Sequence, residues 1–113
     1  MAVRHFPIRQ SDRKVYEALR DGTKKIETRA AGPLYRGIRV NDEAIFDCGS
    51  DRLTKKIVEV QMFPDVYSLL KKYKVQEIIP WFTTAEELTE LYYSFPGCRE
   101  RIAKQGIIAM ELA

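Results

Sequence analysis

At 113 residues the chain fits one domain, large enough to bury a core without metal or disulfide staples. A composition of 45% hydrophobic and 31% charged residues excludes collagen-like, low-complexity and disordered classes. The net charge of +3 hides an asymmetry: residues 1–56 carry 13 Lys/Arg against 8 Asp/Glu, and residues 57–113 carry 6 against 8, so an anionic partner is expected to meet the first half.

No apolar run approaches the ~20 residues that span a bilayer. No signal-peptide core follows Met1–His5, so a cytoplasmic location and no membrane partner are expected. Cys48 and Cys98 stand fifty residues apart and read as buried free thiols. With His5 the single histidine, no zinc-ligand spacing can be drawn, and neither a metal nor a cofactor is expected.

In chain order, Arg4 to Ile8 reads as a short strand, with Pro7 marking an edge or a strand end. Ser11 is a candidate cap for a helix carrying Val15, Ala18 and Leu19 at i, i+3, i+4, which Asp21-Gly22 ends. Lys25 to Ala30 reads as a strand with Ile26 inward, broken by Ala31-Gly32-Pro33. Ala44-Ile45-Phe46 and Leu53 to Phe63 flank Gly49-Ser50-Asp51 as a hairpin.

Pro64 stops that hairpin. Asp65 caps a helix with Val66, Leu69, Leu70 and Tyr73 on one face. Ile78 to Phe82 is an apolar connector. Thr84-Ala85-Glu86-Glu87 has the form of a capping box before Leu88, Leu91, Tyr92 and Phe95, and Pro96-Gly97 ends that helix. Gly106 to Leu112 reads as a closing strand. Clustered strands with few helices argue for an α+β fold: a small barrel of about five to six mostly antiparallel strands with three or so flanking helices.

The segment Gly22-Thr23-Lys24-Lys25-Ile26-Glu27-Thr28-Arg29 is the candidate working element. Lys24 and Glu27 are three apart, which on a strand means opposite faces; they converge only if Lys24 lies in the turn. Lys24, Lys25 and Arg29 suit a phosphate or carboxylate, and Glu27 suits a base edge or the role of general base. A solvated turn with a weak Lys–Glu pair has the same sequence pattern. Tyr35 beside Arg36 offers a stacking surface next to a charge. The aromatics Tyr73, Trp81, Phe82, Tyr92, Tyr93 and Phe95 read as core rather than platform. Asp42 reads first as a turn residue, held by local backbone hydrogen bonds. No Gly-rich phosphate loop and no nucleophile elbow is present.

The run from Tyr16 through Gly22-Thr23-Lys24-Lys25-Ile26-Glu27-Thr28-Arg29 resembles the Gly-x-Lys-x-Ile-Glu-x-Arg signature of the ASCH domain. Ile38 to Phe46 resembles that family's Gly-Asp-x-(apolar)-(apolar)-Phe element, with Asn41 in place of Gly. Gly106 to Leu112 is similar to its closing strand. The resemblance implies a PUA-like barrel with a cleft beside the Gly-x-Lys turn that binds RNA or a modified nucleoside. Together with the charge asymmetry it makes Lys24, Lys25, Glu27, Arg29, Arg36 and Asp42 the expected ligand-binding residues.

One bacterial branch of the family deacetylates N4-acetylcytidine, with a Lys at the position of Lys24 as base, a Thr three residues on as nucleophile, and an assisting Glu. Here Glu27 stands where that Thr would be, Thr28 comes one position late, and Trp81 aligns nearest the assisting Glu. An RNA- or nucleotide-binding module is therefore the expectation. The alternatives are an amidohydrolase using Lys24 as base with Glu27 activating water, and a ribonuclease using the Lys24/Glu27 pair.

Overall fold

The computed structural model describes residues 1–113. Five strands form one mixed, curled sheet: β1 (Val3–Pro7), β2 (Ile26–Ala30), β3 (Glu43–Cys48), β4 (Asp51–Phe63) and β5 (Ile107–Leu112), in the order β1-β3-β4-β5-β2. β1 runs parallel to β3, and every other pairing is antiparallel. Five helices flank the sheet: α1 (Arg13–Asp21), α2 (Val66–Lys72), α3 (Val75–Ile78), α4 (Ala85–Tyr93) and α5 (Cys98–Gln105), with a 3-10 turn at Gln10–Asp12 before the first. The result is an α+β half-barrel. None of the helices is long and apolar enough to cross a membrane.

The curl comes from β4. Residues Asp51 to Lys56 pair with β3, and the strand then pairs with β5 from Ile57 to Phe63, with a register shift between Ile57 and Glu59. Such a bulge bends a strand and raises its twist, so one strand serves both halves of the sheet. The β3–β4 hairpin closes through Gly49-Ser50, with Gly49 at φ +60° supplying the left-handed residue of a two-residue loop.

β5 shows why the core has two parts. Its residues alternate between the faces of the sheet. Ile107 and Ala109 join a cluster under the helices with Leu69, Ile78, Leu88 and Ile102. Ile108 and Met110 join a second cluster inside the curl with Phe6, Leu19, Phe46 and Ile57. A strand buried on both faces reads as a continuous apolar run, which is the pattern of Ile107–Met110.

Two more helices are present than the sequence suggests. α3 is four residues long, inside the stretch around the apolar connector. α5 buries only Cys98 and Ile102, so its sequence carries almost no apolar stripe. Ser11 lies in the 3-10 turn and Asp12 is the α1 N-cap residue, without a side-chain capping bond. The Asp65 cap and the Thr84/Glu87 capping box are both in place.

Candidate functional site

The open side of the half-barrel lies between its two edge strands, β1 and β2. Arg29 bridges this gap: both terminal nitrogens of its guanidinium donate to the Pro7 carbonyl at 3.2 Å, and it lies 5.4 Å from the Phe6 ring centroid. Beside this bridge is a cavity of about 170 Å³. Pro7, Ile8 and Arg9 line it from the end of β1, and Glu27, Thr28, Arg29 and Ala30 from β2. Leu91, Tyr92, Phe95, Cys98 and Arg101 close it from the helical side, with Asp12, Val15, Lys24, Tyr35 and Ile79 completing the wall.

Local sequence places the charged residues. Gly22, at φ +86°, ends α1 in the left-handed conformation that suits glycine. Lys24 follows while the chain is still turning, and its backbone N–H donates to Ala18 O at 3.0 Å. Because Lys24 precedes β2, the three-residue spacing no longer opposes it to Glu27. Lys24 Nζ sits 3.5 Å from Glu27 Oε1, and both side chains are buried. On β2, Glu27 and Arg29 share the face toward the curl. Thr28 points to the helices and meets Tyr92. β2 is an edge strand, so residues of both its faces reach the cavity.

The Lys24 ammonium has three donors, and all three are occupied. It donates to Ile26 O at 2.6 Å and to Ile78 O, the last carbonyl of α3, at 2.5 Å, and it faces Glu27. The lysine thus ties α3 to β2, and it has no donor left for a phosphate. Burial pushes its pKa below the ordinary lysine value, opposed by Glu27.

Glu27 accepts from Thr28 N at 2.9 Å and from Arg29 at 3.1 Å. Burial works to raise its pKa, but Arg29 and Lys24 on either side hold it below the usual carboxylate range. A carboxylate has about four lone-pair sites, so Glu27 keeps capacity for one more donor.

Thr28 Oγ1 and Tyr92 OH lie 2.5 Å apart and are both buried. Their mutual bond uses one hydroxyl proton. Neither hydroxyl has another partner in the protein, so one O–H donor is uncommitted at the cavity wall. Burial also raises the Tyr92 pKa, which keeps that group protonated. Cys98 is a free buried thiol whose pKa burial pushes up, the opposite of an activated nucleophile.

Of the residues proposed from sequence, Lys24, Glu27 and Arg29 meet at the cavity. Lys25 and Arg36 are exposed and do not line it. Asp42 does not line it either: it is buried at the turn before β3. Its carboxylate accepts from Ala2 N at 2.9 Å, Arg39 N at 2.9 Å and Arg4 Nε at 3.3 Å. These bonds pin the N-terminus to the turn. Asn41 beside it is the one non-glycine residue with positive φ, at 77°.

Tyr35 lines the cavity with one ring face already stacked on Phe6, centroids 5.5 Å apart. Trp81 and His5 do not line it. Arg9, Thr28, Tyr92 and Arg101 do, and sequence reasoning did not single them out as ligand-binding. Tyr92 reads as core, which is also true of it. Arg101 lies on α5, a helix with too little apolar signal to be seen, so nothing in the sequence links it to the Gly22–Arg29 segment.

No family model matches the chain, and no curated protein does. Among solved structures, it is similar to the crystal structure of hypothetical protein PH0355, with 26% identity and a TM-score of 0.82 over 99% of this chain and 97% of that one. It is also similar to the solution structure of protein PF0455 from Pyrococcus furiosus, with 22% identity and a TM-score of 0.72 over 96% and 94% of the two chains. The half-barrel is therefore a fold this chain shares over its whole length with proteins of its own size.

Proposed function

We propose that the chain is an RNA- or nucleotide-binding module of the ASCH type, and that the cavity between β1 and β2 takes one nucleoside unit. One observation carries this reading. A buried acceptor, Glu27, and the uncommitted hydroxyl of the Thr28–Tyr92 pair reach the same cavity, whose walls also carry Tyr35 and Phe95. A nucleobase presents both donors and acceptors on its edge and an apolar face to stack. The three ASCH-like segments support the same reading. A volume of about 170 Å³ suits a single ring system rather than a longer segment.

Short RNAs and the four common nucleosides, titrated by calorimetry at two salt concentrations, test the proposal. Thr28→Val together with Tyr92→Phe removes both cavity hydroxyls and is expected to weaken binding about tenfold, the scale of one buried hydrogen bond. Lys25→Gln, outside the cavity, leaves it unchanged. Absence of binding to every RNA and nucleoside sinks the proposal.

Deacylation of an acylated nucleoside is the second reading, favoured by the Thr28 hydroxyl at the cavity wall beside Glu27. It is weakened by the state of the two groups it needs. Glu27 between two cations is a poor base, and the Lys24 ammonium is held by two carbonyls and a carboxylate. Release of acetate from N4-acetylcytidine at high protein concentration decides it. Ribonuclease activity would need the same pair and gains nothing from His5, which is paired with Asp47 at 3.5 Å.

A further inference from the structure

The charges around the cavity do not balance, and one cation there has no carboxylate beside it. Four cationic side chains line it, Arg9, Lys24, Arg29 and Arg101, against two carboxylates, Asp12 and Glu27. Both carboxylates are taken. Asp12 holds Arg9 at 2.7 Å, and Glu27 lies between Lys24 and Arg29. Arg9 is further fixed by Ser94 Oγ at 3.3 Å and by the Phe95 ring, 3.9 Å from its guanidinium carbon.

Arg101 differs from the other three. It takes part in no ion pair, and its guanidinium makes one hydrogen bond, to the Pro96 carbonyl at 3.3 Å. Most of its five N–H donors are free, at an exposed position on the cavity rim. A planar fork of free donors on the rim of a cationic cavity matches a phosphate better than any neutral group.

We propose that the cavity rim is a phosphate subsite read by Arg101, so that the ligand is a phosphorylated nucleoside rather than the nucleoside alone. The phosphate comes either from a free mononucleotide or from the backbone of an RNA chain. The inference rests on the nucleoside reading above and relocates the anion. The Lys24 donors are all taken and Arg29 is held by Pro7 O and Glu27, whereas the guanidinium with neither a carboxylate partner nor a bridging role lies on α5.

The test compares the four nucleosides, their 5′-monophosphates and short oligoribonucleotides on wild type, Arg101→Gln and Lys25→Gln. For wild type, a monophosphate or oligonucleotide is expected to bind about tenfold tighter than its nucleoside. Arg101→Gln removes that advantage, lowering monophosphate affinity about tenfold more than nucleoside affinity. Lys25→Gln deletes the same charge outside the cavity and leaves the advantage intact. Equal affinity of nucleoside and monophosphate for wild type overturns the subsite while sparing the nucleoside reading, as does an equal loss for both ligands in Arg101→Gln. An equal loss of the advantage in Lys25→Gln overturns it too, because a diffuse field would then be the cause. No binding of any ligand overturns both. Tighter binding of oligonucleotides than of monophosphates identifies an RNA backbone as the source of the phosphate.

Discussion

Glu27 and Asp42 are both buried acids, both hydrogen-bonded, and both held below the usual carboxylate range, yet they serve different ends. Asp42 is satisfied chiefly by backbone N–H groups of Ala2 and Arg39, which are local features of a turn and a chain start. Glu27 is satisfied chiefly by charges, those of Lys24 and Arg29, which come from the turn before β2 and from β2 itself. A carboxylate held by backbone amides fixes the chain. A carboxylate held by cations at the wall of a cavity fixes a field and keeps a lone pair for a ligand. Burial and a lowered pKa do not separate these roles, but the identity of the partners does.

The largest effect comes from removing the charge on Glu27. Glu27→Gln keeps the shape and leaves Lys24 and Arg29 facing each other without a counterion. Breaking a buried pair in this way costs roughly 3–5 kcal/mol. Urea unfolding at neutral pH measures it as a lower midpoint with an unchanged slope. A loss below about 1 kcal/mol would show that the network is solvated, as in a surface pair, and would erase the contrast with Asp42.

The amino-acid sequence already carried that contrast in part. The turn at Gly22 and the strand after it are legible because glycine and hydrophobic spacing report on backbone and burial. They place Lys24 at the junction, which is the condition for its meeting Glu27. The sequence also marks Asp42 as a turn residue through its neighbour Asn41. It does not show that the Lys24 donors end on Ile26 O and Ile78 O, because carbonyl partners leave no trace in side-chain identity. Nor does it show Arg101. An exposed arginine on a short polar helix looks the same wherever that helix packs, and only the tertiary fold brings α5 to the edge of β2.

Asp42→Asn gives the next effect. Asparagine keeps one acceptor oxygen and places an amide against N–H donors that the carboxylate had accepted, a loss of about 1–2 kcal/mol. The pH dependence follows from the direction of the shifts. A carboxyl whose folded pKa is depressed contributes stability that is complete above its unfolded value, about 4. That contribution is lost as pH falls through the lower, folded value. Wild type should therefore lose stability steadily below about pH 4. The Asn variant starts lower at neutral pH and falls less steeply in acid. Urea midpoints from neutral pH down to 3 measure both; identical acid slopes would mean that the Asp42 hydrogen bonds are not formed in solution.

The smallest effect belongs to the neutral pair on the other face of β2, which tests whether charge is what sets Glu27 apart. Thr28→Val or Tyr92→Phe alone removes one hydroxyl and leaves its partner buried without an acceptor or donor, a loss of about 1 kcal/mol each. The double variant removes both polar groups, so it should cost less than the sum of the two, a coupling of a few tenths of a kcal/mol or more. The double variant should nonetheless differ in function from Asp42→Asn. It removes the uncommitted O–H at the cavity wall, so it weakens ligand binding as well as lowering the unfolding midpoint. Asp42→Asn moves the midpoint and leaves binding alone. If instead the Thr28 and Tyr92 variants track stability only, the hydroxyl pair is another structural clasp like Asp42, and Glu27 is the acceptor on β2 left for a nucleobase to address.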